Sequence, residues 1–165
     1  MSMSVASPAS KGSVMTRGNA RELAVHLIYG RNFTGEEPEQ VVSARLQKEY
    51  YKQLSAENEV YEERPTRTQL AYIDNVVAGV ANRQEMLNGE IQKYSIGWDV
   101  TRISRLARSV MQLAIFEILY VEDVPTGVAV SEAVRIAKKY DGDDTGAFVN
   151  GILGSFARSL TTEEA

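Results

Sequence analysis

The segment Ser109–Val121, SVMQLAIFEILYV, decides the fold because apolar side chains occupy most of its positions. A helix that is apolar on nearly all sides is buried among other helices. Gln112 and Glu117 interrupt the segment, and it is shorter than the roughly 20 residues that a membrane span needs. It therefore predicts the central helix of the second half of the chain. Its expected core residues are Leu113, Ile115, Phe116 and Leu119.

Helical periodicity continues on both sides of this central helix. After it, apolar residues recur at helical spacing from Thr126 to Tyr140, and a last helix is predicted over 145–160. Before it, helices are predicted over 16–33, 38–54, 66–94 and 101–107, with a polar loop over 55–64. No segment shows sustained alternation of apolar and polar residues, so we expect an all-α fold. Ile96-Gly97-Trp98 marks the expected boundary between subdomains 16–97 and 98–160, with flexible tails at 1–15 and 161–165.

Composition excludes several classes of site. The chain has 165 residues, no cysteine and one histidine, His26. Disulfides, thiolate nucleophiles and sites with several histidine ligands are therefore excluded. We expect no metal and no cofactor, and the absence of a signal peptide or membrane span predicts a cytoplasmic protein.

Three features suggest chemistry but favour structural roles. His26 lies among helical apolar residues and is interpreted as a boundary or surface residue. The stretch from Asp141 to Gly146 resembles the start of a calcium loop, but Ile152 stands where the bidentate glutamate belongs, so a helix start is favoured. Glu117 and Glu132 lie on apolar helices, where structural hydrogen bonds or solvent exposure are favoured over acid–base catalysis.

The distribution of charge is more informative than the net charge of −4. Residues 1–34 carry a local balance of +3, whereas residues 36–63 carry −5. Three groups of cations stand at helical spacing: Arg17 with Arg21; Arg102, Arg105 and Arg108; Arg135, Lys138 and Lys139. Each group alone fits a solvated face. Together with Tyr29 and Phe148 they permit a surface that binds RNA phosphates and stacks on bases.

Several sequence blocks resemble the NusB family of transcription antitermination proteins. They are TGVAVSEAVRIAKKY over 126–140, FVNGIL over 148–153, LAIFEIL over 113–119 and RGNARELA over 17–24. The resemblance covers about 16–160. It implies two helical bundles packed side by side, with three helices and then four.

The resemblance also implies a function without a chemical reaction. Family members bind the boxA element of ribosomal-RNA leader transcripts together with the ribosomal protein NusE, and the complex lets RNA polymerase read through terminators. The alternative is a protein-interaction module, such as a homodimer that masks its RNA face. An RNA-binding domain of an RNA cytosine methyltransferase is less favoured, because the sequence carries no methyltransferase domain.

The family's RNA surface uses the first helix and the start of the last helix. The implied RNA-binding residues are Arg17, Arg21, Tyr29, Asp144, Thr145 and Phe148. For Phe148 a core position is an equal alternative, and Tyr29 could equally cap the core. Gly18 and Asn19 interrupt the arginine run that is usual in the family, which predicts weak RNA affinity without the protein partner. The acidic segment Glu57–Glu63 matches no family feature.

Overall fold

The computed structural model describes residues 14–97 and 103–164, and the side chains among them up to 161. These residues form eight α-helices, one 3-10 helix and no strand, which confirms the all-α prediction. The α-helices are α1 (Arg17–Thr34), α2 (Pro38–Arg45), α3 (Lys48–Ser55), α4 (Arg67–Asn82), α5 (Gln84–Tyr94), α6 (Arg105–Tyr120), α7 (Thr126–Asp141) and α8 (Asp143–Glu164). The 3-10 helix is Glu59–Glu62.

Helix α6 is the central helix, as its apolar sequence predicts. It contacts α1, α4, α5, α7 and α8. Leu113, Ile115 and Phe116 are buried, but Leu119 is 37% exposed, so its predicted core position is wrong. Leu119 lies in the last turn of α6, near the end of the helix, where fewer neighbours cover it.

Two predicted helices are each divided in the structure. The segment predicted as one helix over 38–54 breaks at Leu46 and Gln47, and the Gln47 side chain accepts a hydrogen bond from the backbone N–H of Tyr50 to start α3. The segment predicted over 66–94 breaks at Arg83. Five α-helices thus precede residue 97 and three follow 103 in the described chain, which differs from the expected three and four.

Parts of both predicted tails, 1–15 and 161–165, are ordered differently from the prediction. Met15, assigned to the flexible tail, is buried with 1% exposure, and its carbonyl accepts a hydrogen bond from the Gln69 side chain. Helix α8 begins two residues earlier than predicted and continues to Glu164 through the predicted tail. Residues 1–13, the boundary residue Trp98 and Arg102 lie outside the described residues.

Helix α1 positions the candidate site. The Thr16 hydroxyl accepts a hydrogen bond from the backbone N–H of Asn19 and so begins the helix. Gly35 ends it in the left-handed conformation, with φ of 70°. Between these caps, α1 packs against α4 and α6, and its side chains bond to those of α7.

Candidate nucleic-acid interface

Arg17 presents an accessible positive charge at the first turn of α1. Its side chain is 69% exposed, and its Nη2 lies 3.8 Å from Oδ2 of Asp123, which is 77% exposed. Exposed pairs of this kind contribute little stability and exchange readily with solvent ions. The guanidinium of Arg17 is therefore available to an RNA phosphate.

Arg21 does not share this position. Its side chain is only 7% exposed, and its Nε and Nη2 donate hydrogen bonds to the carboxylate of Glu117 at 3.0–3.2 Å. Its Nη1 donates to Oε1 of Glu132 at 3.3 Å. The expectation that Arg17 and Arg21 project together from the helix is wrong, because Arg21 points into the interface between α1, α6 and α7.

The hydroxyl of Tyr72 completes this ionic cluster. It donates to Oε2 of Glu117 at 2.9 Å, and the guanidinium of Arg21 lies 5.9 Å from the centroid of the tyrosine ring. Burial lowers the pKa of Arg21, but the hydrogen bonds with Glu117 and the electrostatic interactions with Tyr72, Glu117 and Glu132 together outweigh burial and raise it. Burial and the charge of Glu117 raise the pKa of Tyr72. The cluster thus holds a charged arginine and a neutral tyrosine across four helices, and it confirms the structural role favoured for Glu117.

Glu22 gathers a second set of cations from α7. Its buried carboxylate accepts hydrogen bonds from Lys139 at 2.7 Å, Tyr140 at 2.5 Å and Arg135 at 3.2 Å. Burial raises the pKa of Glu22, but the hydrogen bonds from Lys139, Tyr140 and Arg135 and the charge of Lys139 together outweigh it and hold the pKa below its ordinary value. Arg135 also donates to Glu132, which lowers the pKa of that carboxyl. These two α7 cations therefore stabilise the helix packing.

His26 lies between two tyrosine hydroxyl groups, a position that its sequence context did not predict. Tyr61 lies 2.7 Å from Nδ1 and Tyr140 lies 2.8 Å from Nε2. Arg45 donates to the Tyr61 oxygen, so the Tyr61 proton points to Nδ1. Tyr140 donates to Glu22, so its oxygen accepts from Nε2. This directional chain assigns the proton to Nε2.

Tyr29 lies on the exposed side of α1, with 37% of its surface accessible. Its ring meets the ring of Phe33 edge to face, with centroids 5.0 Å apart, and Phe33 is 53% exposed. The guanidinium of Arg105 lies 4.3 Å from the centroid of Phe33. Twelve residues of helix, roughly 18 Å, separate Tyr29 from Arg17. The aromatic group therefore stands well apart from the accessible arginine.

The start of α8 contributes Asp144, Thr145 and Phe148. Asp144 is exposed, Thr145 is half-buried, and Phe148 is half-buried and packs against the core. The hydroxyl of Ser104 donates to Asp141 at 2.7 Å, which connects the end of α7, just before α8, to the start of α6. Arg105, which covers Phe33, is the next residue after Ser104. The start of α6 thus connects the Tyr29 end of α1 with the start of α8.

Comparison with known proteins identifies the family. The model of the NusB family matches residues 18–158. The chain belongs to the NusB family. The transcription antitermination protein NusB of Acetivibrio thermocellus is 36% identical over 144 residues, covering 87% of this chain and 90% of that protein. The corresponding protein of Ruminiclostridium cellulolyticum is 33% identical over 150 residues, covering 91% and 94%.

Solved structures of NusB proteins share the fold. A T. maritima NusB structure has a TM-score of 0.72 at 26% identity, covering 88% of this chain and 92% of that one. A crystal structure of antitermination factors NusB and NusE in complex with double-stranded RNA contains a chain with a TM-score of 0.68 at 20% identity. It covers 87% of this chain and 96% of that one. Within the described part of this NusB-family chain, no helix is long and apolar enough to cross a membrane.

The sequence held only part of the signal for these sites. Arg21 and Glu117 are separated by 96 positions, so no local pattern reveals that they pair. Glu117 itself gave a hint, because a charged residue inside an otherwise apolar helix is buried only with a partner. The position of Phe33 beside Tyr29 was visible as an i,i+4 aromatic pair at the end of α1.

Proposed function

We propose that this chain is an RNA-binding transcription antitermination factor. It binds the boxA element of ribosomal-RNA leader transcripts in the cytoplasm, acts together with NusE, and joins the RNA polymerase complex that reads through terminators. Membership of the NusB family and the relatives named as transcription antitermination proteins support this function. The solved complex of NusB and NusE factors with RNA supports the choice of partners.

The exposure of the Arg17 guanidinium is the observation that supports RNA binding at this particular surface. Arg17 is far more exposed than Arg21, and its ion-pair partner Asp123 is itself exposed. A phosphate would replace Asp123 as its partner without uncovering the core. We assign the direct phosphate contact to Arg17, and we assign to Arg21 the indirect role of holding α1 against α6.

The other RNA-binding residues that the family resemblance implies contribute to this surface in different ways. Tyr29, with its exposed ring, offers a surface on which an unstacked base can pack. Asp144 and Thr145 offer polar groups at the start of α8. Phe148 is half-buried and packs against the core, so it supports the same surface mainly from beneath. The surface then follows α1 and the start of α8.

Fluorescence anisotropy with labelled RNA tests the proposed function. Wild-type protein should bind boxA RNA more tightly than a scrambled RNA of the same composition, and NusE should increase that preference. Equal binding of both RNAs, with and without NusE, would contradict the proposal. Sedimentation of the free protein adds the alternative outcome: a dimer that does not dissociate on addition of boxA RNA would favour the homodimer with a masked RNA face.

A further inference from the structure

A cleft of about 490 Å³ opens beside Arg17, between α1, α4 and the connection from α6 to α7. We propose that this cleft binds one unstacked nucleobase of the RNA while Arg17 holds an adjoining phosphate. The proposal rests on the RNA binding proposed above and names a base subsite for it. Its lining includes Arg17 from α1, the side chains of Thr68, Tyr72 and Asn75 from α4, and Asp123 after α6.

The wall from α4 has the chemistry that a nucleobase requires. Thr68, Tyr72 and Asn75 stand at i, i+4 and i+7, so they share one face of the helix. Proteins hold splayed RNA bases with an aromatic side chain and with hydrogen bonds to the base edges. The Asn75 amide supplies both a donor and an acceptor, and the Thr68 hydroxyl supplies a further polar group.

The tyrosine wall is fixed before any ligand arrives. The Tyr72 hydroxyl is bonded to buried Glu117, and the Arg21 guanidinium lies near the ring. A ring held in this way loses little conformational freedom on binding a base, which preserves affinity. The ionic cluster thus has a consequence for binding as well as for stability, because it holds the cleft wall in place.

Arg17 gives the cleft an accessible cation for the RNA backbone, next to the exposed carboxylate of Asp123. Arg17 at its edge is accessible, whereas the charge of Arg21 at its inner end is already neutralised by Glu117 and Glu132. A second groove, between α2 and α4, shares Asn75 with the cleft, but it is lined by the carboxylates of Glu39 and Asp74, which repel phosphates. The cleft beside Arg17 therefore combines a base-sized cavity with a cation for the RNA backbone.

A matched pair of asparagine variants tests the subsite. Asn75→Ala removes the amide from the cleft, and Asn82→Ala removes another exposed amide two turns further along α4, outside the cleft. Asn75→Ala should weaken boxA binding about fivefold, the effect of one lost hydrogen bond, while Asn82→Ala should bind as wild type. The salt dependence should be unchanged in both variants, because neither residue carries charge.

Abasic substitutions along the boxA RNA then identify the base in the cleft. At one position the abasic RNA should bind wild type about fivefold more weakly or worse, and Asn75→Ala should add no further loss there. Equal binding of Asn75→Ala and Asn82→Ala, or independent losses at every position, would overturn the subsite while leaving the proposed function intact. Failure of wild type to prefer boxA would overturn both. A loss of NusE affinity by Asn75→Ala without RNA would also overturn the subsite in favour of a protein contact.

Discussion

Two carboxylates that pair with arginines of α1 should differ sharply in their contribution to stability. Glu117 is buried and holds Arg21, whereas Asp123 is exposed beside Arg17. Glu117→Gln leaves a buried guanidinium without its main counter-charge and should lower the free energy of unfolding by about 3–5 kcal/mol. Asp123→Asn should lower it by less than about 1 kcal/mol. Denaturant titration measures both, and equal losses would contradict the assigned burial.

His26 should titrate far below an ordinary histidine. Burial, together with the charges of Arg45 and Lys139, lowers its pKa to about 4 despite the opposing charge of Glu22. Because the chain has one histidine, nuclear magnetic resonance follows a single imidazole signal through the titration. The midpoint should lie near pH 4, with the proton on Nε2 above it. A midpoint near 6.5 would show that the ring is not enclosed by its tyrosine neighbours.

The same shift predicts acid sensitivity of the fold. Between about pH 6.5 and 4 the unfolded chain binds a proton at His26 that the folded chain does not, so the free energy of unfolding falls as the pH falls. The loss should reach about 2 kcal/mol by pH 5 for this group alone. Glu22 and Glu132, whose pKa values are lowered, add their losses below about pH 4.5.

At the scale of elements, the contact between α4 and α6 depends on a glycine. A methyl group added at Gly79 would collide with the ring of Phe116, whereas a methyl group at Gly89, within α5, meets open space. Gly79→Ala should destabilise by about 1–3 kcal/mol despite the better helix propensity of alanine. Gly89→Ala should stabilise by about 0.5–1 kcal/mol.

A double variant checks the cause of the Gly79 effect. Gly79→Ala combined with Phe116→Leu should lose less stability than the sum of the two single variants, because the smaller side chain leaves room for the methyl group. Additive losses in denaturant titration would place the two helices further apart than the structure shows. The single variant Gly89→Ala serves as the control for helix propensity alone.

The helices themselves were largely predictable, and their interruptions were less so. The apolar periodicity of α7 predicted its extent within one residue. Helix α6 begins at Arg105, so it includes part of the segment that was predicted as a separate helix over 101–107. The break at Arg83 occurs in a segment whose apolar pattern continues through it, and the pattern gives no sign of where the backbone turns. Val60 and Tyr61 are buried, although the sequence predicted a polar loop over 55–64. The prediction missed them because two apolar residues among glutamates show no helical periodicity.

At the scale of the whole molecule, the family could be recognised from its sequence blocks. The different roles of Arg17 and Arg21 could not be predicted from the sequence. Arg17 and Arg21 are four residues apart on one helix, yet one faces solvent and the other faces α6. Their difference depends on Glu117 and Glu132, which only the assembled fold brings to Arg21. Local spacing therefore predicted a shared role, and tertiary packing separates the two residues.

The salt dependence of RNA binding tests most directly the claim that Arg17 carries an RNA phosphate contact. The dissociation constant for boxA RNA is measured over a range of salt for wild type, Arg17→Gln and the control Lys52→Gln, which removes an exposed cation on α3. Arg17→Gln should weaken binding and reduce the slope of log K against log salt by about 0.7, the value for one lost contact to a single strand. Lys52→Gln should leave the slope unchanged. A wild-type slope for Arg17→Gln would contradict the account.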